Sequence, residues 1–151
     1  MKNNTVYLAI GSNINPKKNF KLALKELSNI GKIISVSKFI KTKPEGYLNQ
    51  PDFLNGAVKF QTNLTPQNLL KELKNIEQRL KRNTSFRNGP RTIDIDIIFY
   101  GNLILKTPNL IIPHLRANKR FFVLKPLSEI CPCKTHPILK KQIKTLLKEL
   151  R

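Results

Sequence analysis

Hydrophobic and polar positions recur along the chain with a period near two in some segments and near 3.6 in others. The shorter period, together with many β-branched residues, predicts strands over Thr5–Ile10, Lys32–Lys41 and Phe53–Thr62. The longer period predicts an amphipathic helix over Pro16–Asn29, which we expect Gly31 to end. The first part of the chain is therefore a strand, a helix and two further strands.

A second amphipathic helix is predicted to begin at Pro66, with Thr65 as its N-cap and Glu77 at the edge of its apolar stripe. The run from Thr92 to Tyr100 is rich in Ile and is bounded by Gly-Pro and Gly, which predicts another strand. The remaining predicted elements are a short hairpin partner at Leu103–Leu105, an extended piece at Leu110–Pro113, a helix over Arg120–Ile130 interrupted at Pro126, and a last helix over Ile138–Leu150.

The element order β-α-β-β-α-β favours an α+β fold with a mainly antiparallel sheet and helices packed on one face. This is the ferredoxin-like layout, here followed by extra C-terminal helices. The length suits a single domain over residues 1–151, and neither a repeat nor an interdomain linker is visible. Because the chain stops soon after the last predicted helix, we expect a free-standing monomer.

The chain is strongly basic, with 28 Lys and Arg against 9 Asp and Glu and a formal charge of +19. Such a charge attracts polyanions, namely nucleic acid, anionic membrane or phosphorylated small molecules. The lysines are scattered, without a run of five like charges, so we attribute most of the charge to general composition. No apolar stretch approaches the ~20 residues of a membrane span, and no apolar signal segment precedes the first strand. We therefore expect a cytoplasmic protein that binds neither membrane nor nucleic acid.

Two of the few acidic residues, Asp94 and Asp96, lie one residue apart in the last predicted strand. Alternation places both carboxylates on one face, with Ile93, Ile95 and Ile97 on the other face toward a core. Neighbouring carboxylates repel each other, and a cation between them removes the repulsion. Carboxylate oxygens on a rigid strand suit Mg²⁺, which one or two carboxylates and substrate phosphates commonly hold. The plainer alternative is an exposed acidic face paired with lysines.

Several other residue groups are candidates for chemistry. Cys131, Cys133 and His136 form C-x-C-x-x-H, but three ligands are too few for a structural zinc site, and we expect ordinary thiols. Phe53, Asn55 and Phe122 are candidates to sandwich and read a flat heterocycle, although the aromatic pair also suits a core. His114 suits either a phosphate contact or a structural turn. The basic residues suited to a triphosphate are Arg82, Arg87, Arg91, Arg116, Lys119 and Arg120.

Short motifs occur in register along most of the chain, from about Val6 to Pro137. The most specific is Gly89-Pro90-Arg91-x-x-Asp94-Ile95-Asp96-Ile97-Ile98. The others are Gly11-Ser12-Asn13, Thr42-x-Pro44-x-Gly46, Gln50-Pro51-Asp52-Phe53-Leu54-Asn55, Pro113-His114 and Arg120-x-Phe122. Together these motifs resemble the 6-hydroxymethyl-7,8-dihydropterin pyrophosphokinase family of folate biosynthesis.

The resemblance implies transfer of diphosphate from ATP, as co-substrate, to the hydroxymethyl group of the pterin, with release of AMP. It also implies two Mg²⁺ ions held by Asp94 and Asp96. The implied catalytic residues are Arg91, Asp94, Asp96 and Arg120. The implied pterin-binding residues are Thr42, Pro44, Glu45, Phe53, Asn55 and Phe122. The implied nucleotide-binding residues are Glu77, Arg82, Arg87, Arg91, Ile97, His114, Arg116 and Arg120.

The chain departs from the family pattern at four positions: Lys81, Thr84, Asn88 and Leu115. Most of these lie in or beside the loop Arg82–Pro90, so they concern loop closure and the grip on ATP rather than the reaction. This loop and the loop Lys43–Asp52 carry Gly and Pro with few apolar residues, and we expect both to close over the substrates.

Two rival functions are compatible with parts of the pattern. An RNA-binding module shares the sheet outline and the charge, but its aromatic RNP run is missing here. A metal-dependent nuclease would use the two aspartates, but such sites usually recruit further carboxylates or histidines.

Overall fold

The computed structural model describes residues 3–80 and 92–150. The strands of its main sheet are β1 (Asn4–Ser12), β2 (Lys32–Val36), β3 (Ile40–Thr42), β4 (Phe53–Thr62) and β5 (Asp94–Tyr100). The helices are α1 (Pro16–Leu27), α2 (Pro66–Arg79), α3 (Phe121–Ile130) and α4 (Ile143–Glu149), and a 3-10 turn covers Ala117–Lys119. A separate ribbon pairs β6 (Leu105–Lys106) with β7 (Ile111–Ile112).

The main sheet has the strand order β2-β4-β1-β5, and each neighbouring pair is antiparallel. The short strand β3 pairs with the other end of β4, beyond β2. This order is the one that a β-α-β-β-α-β succession gives in the ferredoxin-like fold, so the predicted α+β fold is confirmed. Strand β1 lies in the middle, and β5 forms one edge of the sheet.

Helices cover both faces of the sheet, because the extra C-terminal helices add a second layer to the ferredoxin-like core. Apolar stripes of α1 and α2 pack on one face, and α3 and α4 pack on the other. The first core includes Leu8, Phe20, Leu27, Val58, Phe60, Leu73 and Ile95. The second includes Tyr7, Ala57, Ile98, Phe99, Leu124, Leu127 and Ile143. The second core therefore shields this face of the sheet from solvent.

Strand β5 carries one extra residue relative to β1. Leu8 pairs with Ile97 and Tyr7 pairs with Phe99, so the register shifts at Ile98. Ile97 therefore belongs to the first core, whereas Ile98 and Phe99 both belong to the second. Such β-bulges re-aim side chains and are common beside functional sites.

The predicted strand Lys32–Lys41 is broken into β2 and β3. At Ser37 the backbone N–H donates to the Ala57 carbonyl (2.9 Å), and the hydroxyl accepts from the Ala57 N–H (2.8 Å). Phe39 then stacks on Phe20, with ring centroids 4.2 Å apart. A Cβ at Gly56 would lie 2.3 Å from the Phe39 ring, so a glycine is needed at that crossing.

Three predicted helix features are wrong. Helix α1 ends at Leu27, before Gly31, and a Cβ at Gly31 would clash with Phe60 and the Gln61 carbonyl. Helix α3 continues through Pro126, which is buried within it. Helix α4 begins only at Ile143, because the preceding segment is a turn that His136 and Lys140 shape. The predicted N-cap at Thr65 is confirmed, since its hydroxyl accepts from the Asn68 N–H at 3.2 Å.

The segment that contains Cys131, Cys133 and His136 folds without a disulfide, and both thiols are free. Burial raises the pKa of Cys131 to about 12, so this thiol is protonated. The Nδ1 atom of His136 accepts the N–H groups of Ile138 (3.2 Å) and Leu139 (3.1 Å). These bonds give the histidine a structural role in the turn before α4.

None of the helices in residues 3–80 and 92–150 combines the length and the apolar character that crossing a bilayer requires.

Candidate active site

A cavity of about 130 Å³ opens on the face of the sheet that α3 and α4 cover. Its walls come from the ends of β1, β4 and β5, from the loop after β3, and from the segment around α3. The described residues that line it are Ala9, Ile10, Gly11, Thr42, Lys43, Glu45, Phe53, Asn55, Asp94, Asp96, Ile98, His114, Arg120, Phe122 and Val123. The carboxylate pair, the two candidate aromatics and the candidate amide thus face one space.

Strand pairing explains why these side chains meet. Gly11 of β1 pairs with Asn55 on one side and with Asp94 on the other. Ala9, two residues earlier, pairs with Asp96 across the same strands. Side chains of paired residues share a face, so the amide and the carboxylates flank a floor of small residues.

Gly11 leaves room for the side chain of Asn55. A Cβ at Gly11 would lie 2.8 Å from Oδ1 of Asn55, closer than ordinary contact allows. The Nδ2 group of Asn55 donates to Oγ1 of Thr42 at 2.6 Å. The amide is therefore held between Thr42, at the end of β3, and the cavity floor, and Asn55 is only 7% exposed.

Substituting Gly11→Ala tests whether this amide binds the pterin that the sequence resemblance implies: pterin binding should weaken about tenfold while the protein stays folded. The new methyl group would push the Asn55 amide off its position, and a displaced polar group in a binding site costs on the order of 1–3 kcal/mol. Calorimetric titration with the pterin, together with thermal unfolding, measures both effects.

Gly101→Ala is the matched control. Nothing lies within 4 Å of a Cβ at Gly101, but its φ of +54° strains any side-chain-bearing residue. This control should lower stability by about 1 kcal/mol and leave pterin affinity unchanged. Equal pterin affinity in Gly11→Ala and the unchanged chain would contradict the role given to Gly11.

The paired carboxylates carry an electrostatic conflict. Burial, then the charges of Asp94 and Glu77, raise the pKa of Asp96 to about 7, and the charges of Lys74 and Arg120 oppose this rise only in part. The ionised pair is therefore unfavourable without an added positive charge. A cation between the two groups resolves the conflict, and all the donors are hard oxygens that suit Mg²⁺.

No group of three or more His, Cys, Asp or Glu side chains in the described part of the chain has the geometry of a metal site. Two carboxylates alone do fit Mg²⁺, because this ion keeps several water or phosphate oxygens as ligands. Asp94 and Asp96 are the residues that would hold it.

Glu77 lies behind β5 and does not line the cavity. Its Oε2 accepts the backbone N–H of Ile95 at 2.8 Å, and its Oε1 lies 3.6 Å from Nζ of Lys74. Since β5 is an edge strand, the Ile95 N–H points away from β1 and needs such an acceptor. The odd carboxylate of α2 thus fixes the strand that carries Asp94 and Asp96, a role that the sequence did not predict.

His114 enters the cavity from the segment after β7. Its backbone N–H donates to the Ile98 carbonyl (3.0 Å), and its Nδ1 accepts the Arg116 N–H (3.2 Å). Burial and the charge of Arg120 lower its pKa, and this effect outweighs the charge of Asp94. The neutral ring therefore carries its proton on Nε2, as a donor suited to phosphate oxygen.

Arg120 stands beside the aromatic wall. Its Nη2 lies 3.1 Å from Oε1 of Glu45, and its guanidinium lies 5.4 Å from the centroid of the Phe122 ring. Its charge also acts on Asp96 and on His114. One cation thus acts on Asp96, on His114 and on the Phe122 ring.

Two side chains at the end of β1 tie the cavity walls together. The hydroxyl of Ser12, fully buried, donates to the Thr92 carbonyl at 2.6 Å. Asn13 donates from Nδ2 to Oε1 of Gln50 (2.7 Å) and to the Pro51 carbonyl (2.9 Å). The motif Gly11-Ser12-Asn13 therefore provides the floor, an anchor for β5 and an anchor for the loop before β4.

Some predicted site residues lie elsewhere. The Ile97 side chain is in the first core, and Ile98 lines the cavity instead. Arg116 is exposed and takes part through its backbone N–H, while Pro44 is buried beside Thr42. Arg82, Arg87 and Arg91, with Lys81, Thr84, Asn88 and the loop Arg82–Pro90, fall outside the described residues. Lys43, Gly11 and Ala9 line the cavity without having been predicted to do so.

The model of the 7,8-dihydro-6-hydroxymethylpterin-pyrophosphokinase (HPPK) family matches residues 7–132. The chain belongs to this family. The matched range contains all of the described cavity-lining residues. It also contains the motifs that carried the resemblance in the sequence.

Two bacterial pyrophosphokinases are similar to this chain along most of their length. The pyrophosphokinase of Aquifex aeolicus is 40% identical over 141 residues, which is 93% of this chain and 88% of that protein. The pyrophosphokinase of Haemophilus influenzae is 43% identical over 129 residues, or 83% and 81%. The folic acid synthesis protein of Dictyostelium discoideum is 48% identical over 138 residues, and the chain spans 21% of its length.

Solved structures show the same fold. HPPK-DHPS from Plasmodium falciparum matches with a TM-score of 0.79 over 98% of this chain and 45% of that chain. The identity is 18%, so this likeness concerns the HPPK fold alone.

Proposed function

We propose that the chain transfers diphosphate from ATP to the hydroxymethyl group of 6-hydroxymethyl-7,8-dihydropterin and releases AMP. The observation that carries this proposal is the single cavity in which Asp94 and Asp96 face Phe53, Asn55 and Phe122. The end of the cavity with the two carboxylates suits a metal-bound polyphosphate. The end with the aromatic rings and the amide suits a flat ring with a polar edge. The names of the HPPK relatives support the same reaction.

The pterin subsite is built from the two aromatic rings and the polar groups between them. Phe53 and Phe122 offer π-faces to a flat heterocycle, and such stacking contributes about 1–3 kcal/mol per ring. Asn55, fixed by Thr42, presents a side-chain oxygen toward the cavity floor. An amide held in this way reads a donor–acceptor edge with high specificity.

The nucleotide subsite is the acidic and basic end of the cavity. We propose that Asp94 and Asp96 hold two Mg²⁺ ions, which when bound neutralise phosphate charge and orient the oxygens that react. Arg120 supplies a guanidinium for phosphate oxygens, and His114 supplies an N–H donor from Nε2. In this proposal Arg91, Arg82 and Arg87 add further positive charge from outside the described part of the chain, and Glu77 acts on the site through β5.

The reaction breaks the bond between the β-phosphorus of ATP and the oxygen that bridges the α- and β-phosphates. AMP leaves with that oxygen. A new bond joins the hydroxymethyl oxygen to the β-phosphorus, and the hydroxyl proton passes to solvent or to a phosphate oxygen. We assign no protein base, because alignment and charge neutralisation provide most of the catalysis in phosphoryl-type transfer. The cavity walls hold both substrates in line and keep water from the phosphorus.

AMP release tests the proposal. The purified chain should form AMP and the pterin diphosphate only when ATP, the pterin and Mg²⁺ are all present. Omission of any one should reduce AMP to the level without protein. AMP formation that is independent of the pterin, or a salt-sensitive RNA gel shift without any ATP consumption, would contradict it.

In the same proposal the chain acts as a cytoplasmic monomer whose partners are small molecules. The loop Lys43–Asp52 closes over the substrates. The hydrogen bonds that Asn13 donates to Gln50 and Pro51 fix the C-terminal end of this loop, so the loop would pivot there.

A further inference from the structure

The side chain of Glu45 makes a contact that joins the two proposed subsites. Its Oε1 lies 3.1 Å from Nη2 of Arg120, and both side chains line the cavity together with Phe122. The Glu45 side chain is 57% exposed and that of Arg120 is 23% exposed. The carboxylate therefore reaches inward from a solvent-facing loop to a more enclosed cation.

The Arg120 guanidinium has a second neighbour besides Glu45. With Glu45 on one side, the Arg120 guanidinium sits over the Phe122 ring, 5.4 Å from its centroid. The negative face of an aromatic ring attracts a cation that lies over it. A ring that stacks on this face of Phe122 must displace the guanidinium, and the ion pair with Glu45 opposes that displacement.

Phosphate and Glu45 are competitors for the same cation. Arg120 offers one guanidinium, and a phosphate oxygen bound to it would stand close to the Glu45 carboxylate. Like charges at that distance repel, so the nucleotide and the carboxylate disfavour each other. A phosphate that draws Arg120 toward Asp96 also removes it from the face of Phe122.

We propose that Glu45 is a positioning residue that couples the two substrates: it holds Arg120 over Phe122 until a nucleotide phosphate takes the guanidinium. This inference rests on the proposed function and deepens it. Glu45 lowers the affinity for the nucleotide and shields the pterin-stacking face. Nucleotide binding then releases both restraints together.

The substitution Glu45→Gln tests the coupling. It should tighten Mg-ATP binding about two- to five-fold, the range expected from losing one partly exposed ion pair. The pterin should also bind more tightly without nucleotide. The factor by which an ATP analogue with an α,β-methylene bridge tightens pterin binding should shrink by a similar amount, since coupling is reciprocal. Calorimetric titrations with Mg-ATP, the pterin and the analogue give all three values.

Two variants control for charge and for the loop. Glu45→Asp keeps the carboxylate and should lie closer to the unchanged chain than Glu45→Gln does. Asp52→Asn removes one exposed negative charge from the same loop, outside the cavity lining, and should change Mg-ATP affinity by less than Glu45→Gln.

Unchanged nucleotide affinity in Glu45→Gln, or an unchanged coupling factor, would overturn the inference. An effect of Asp52→Asn as large as that of Glu45→Gln would overturn the inference as well. The overall negative charge of the loop, and not the ion pair with Arg120, would then explain the change in affinity. Failure of the proposed function is a different result: the unchanged chain would release no AMP and bind no pterin.

Discussion

Replacing Asp96 with asparagine is expected to make the protein more stable in the absence of magnesium and nearly inactive in its presence. The folded state disfavours the ionised Asp96 carboxylate, because burial and the Asp94 charge raise its pKa to about 7. Asparagine removes that charge at nearly the same volume. Above pH 7 and in a chelator, the free energy of unfolding should rise on the order of 1–3 kcal/mol.

The pH dependence has a definite sign. Because the folded-state pKa of Asp96 lies above its ordinary value of 3.8, the folded state binds the proton more tightly than the unfolded state. The unchanged chain should thus lose stability as pH rises from about 4 to 7, and Asp96→Asn should lose less. Diphosphate transfer should fall about 100-fold or more, since one ligand of the proposed cation is gone.

Thermal unfolding with chelator and with Mg²⁺, alongside AMP release, measures these opposite effects. Glu149→Gln removes one negative charge from a remote, exposed ion pair with Lys141 and should change neither quantity by much. Near-normal turnover in Asp96→Asn would refute the metal assignment. Stability that falls in chelator would show that the carboxylate serves the fold.

Phe122→Ala is expected to weaken pterin binding about 10- to 100-fold and to leave Mg-ATP affinity nearly unchanged. One stacking surface is worth about 1–3 kcal/mol, and the other wall, Phe53, remains. The Phe122 side chain is partly buried at the rim of the second core, so its loss leaves the buried interior of α3 in place. Separate titrations with the pterin and with Mg-ATP measure the difference.

The neighbouring ring is the natural control. Phe121 is 51% exposed and does not line the cavity. Phe121→Ala should therefore bind both ligands as the unchanged chain does. If Phe122→Ala instead lost both ligands to the same degree, the ring would be a core residue and the aromatic wall would not be a binding surface.

Local signals predicted those parts of the fold that neighbouring residues determine. The alternation over Phe53–Thr62 gave β4 with its observed bounds, and Thr65-Pro66 gave the start of α2. The order of these elements then sufficed for the antiparallel sheet. The bounds of β4 and the start of α2 depend on contacts within a few residues, whereas the sheet follows from the order of the elements.

The errors fall where distant residues decide the backbone. Strand β2 stops at Val36 because Ser37 bonds to Ala57, and Phe39 turns to stack on Phe20. The helical pattern of Ile138–Leu150 is overridden at its start, where backbone N–H groups bind Nδ1 of His136 and Lys140 has a φ of 59°. No periodicity within the segment shows such partners.

The site shows the same division. Alternation alone predicted that Asp94 and Asp96 share a face, and the burial of Ile95 and Ile97 agrees. That one site also contains Phe53, Asn55, His114 and Phe122 was implied only by the resemblance. Spacing along the chain does not show which separate segments meet. The sequence marks Glu77 as an odd carboxylate on an apolar stripe, but its bond to the Ile95 N–H depends on β5 being an edge strand.

The extra residue in β5 constrains the length of this strand more tightly than the identity of its apolar residues. Deleting Ile98 would restore regular pairing with β1 and leave Phe99 opposite Tyr7, but it would remove a side chain from both the cavity lining and the second core. Inserting a residue there would add a second residue of β5 that has no partner on β1. Homologues should therefore vary freely in which apolar residues follow the two aspartates, while gaps in aligned sequences avoid the interval from Asp96 to Gly101.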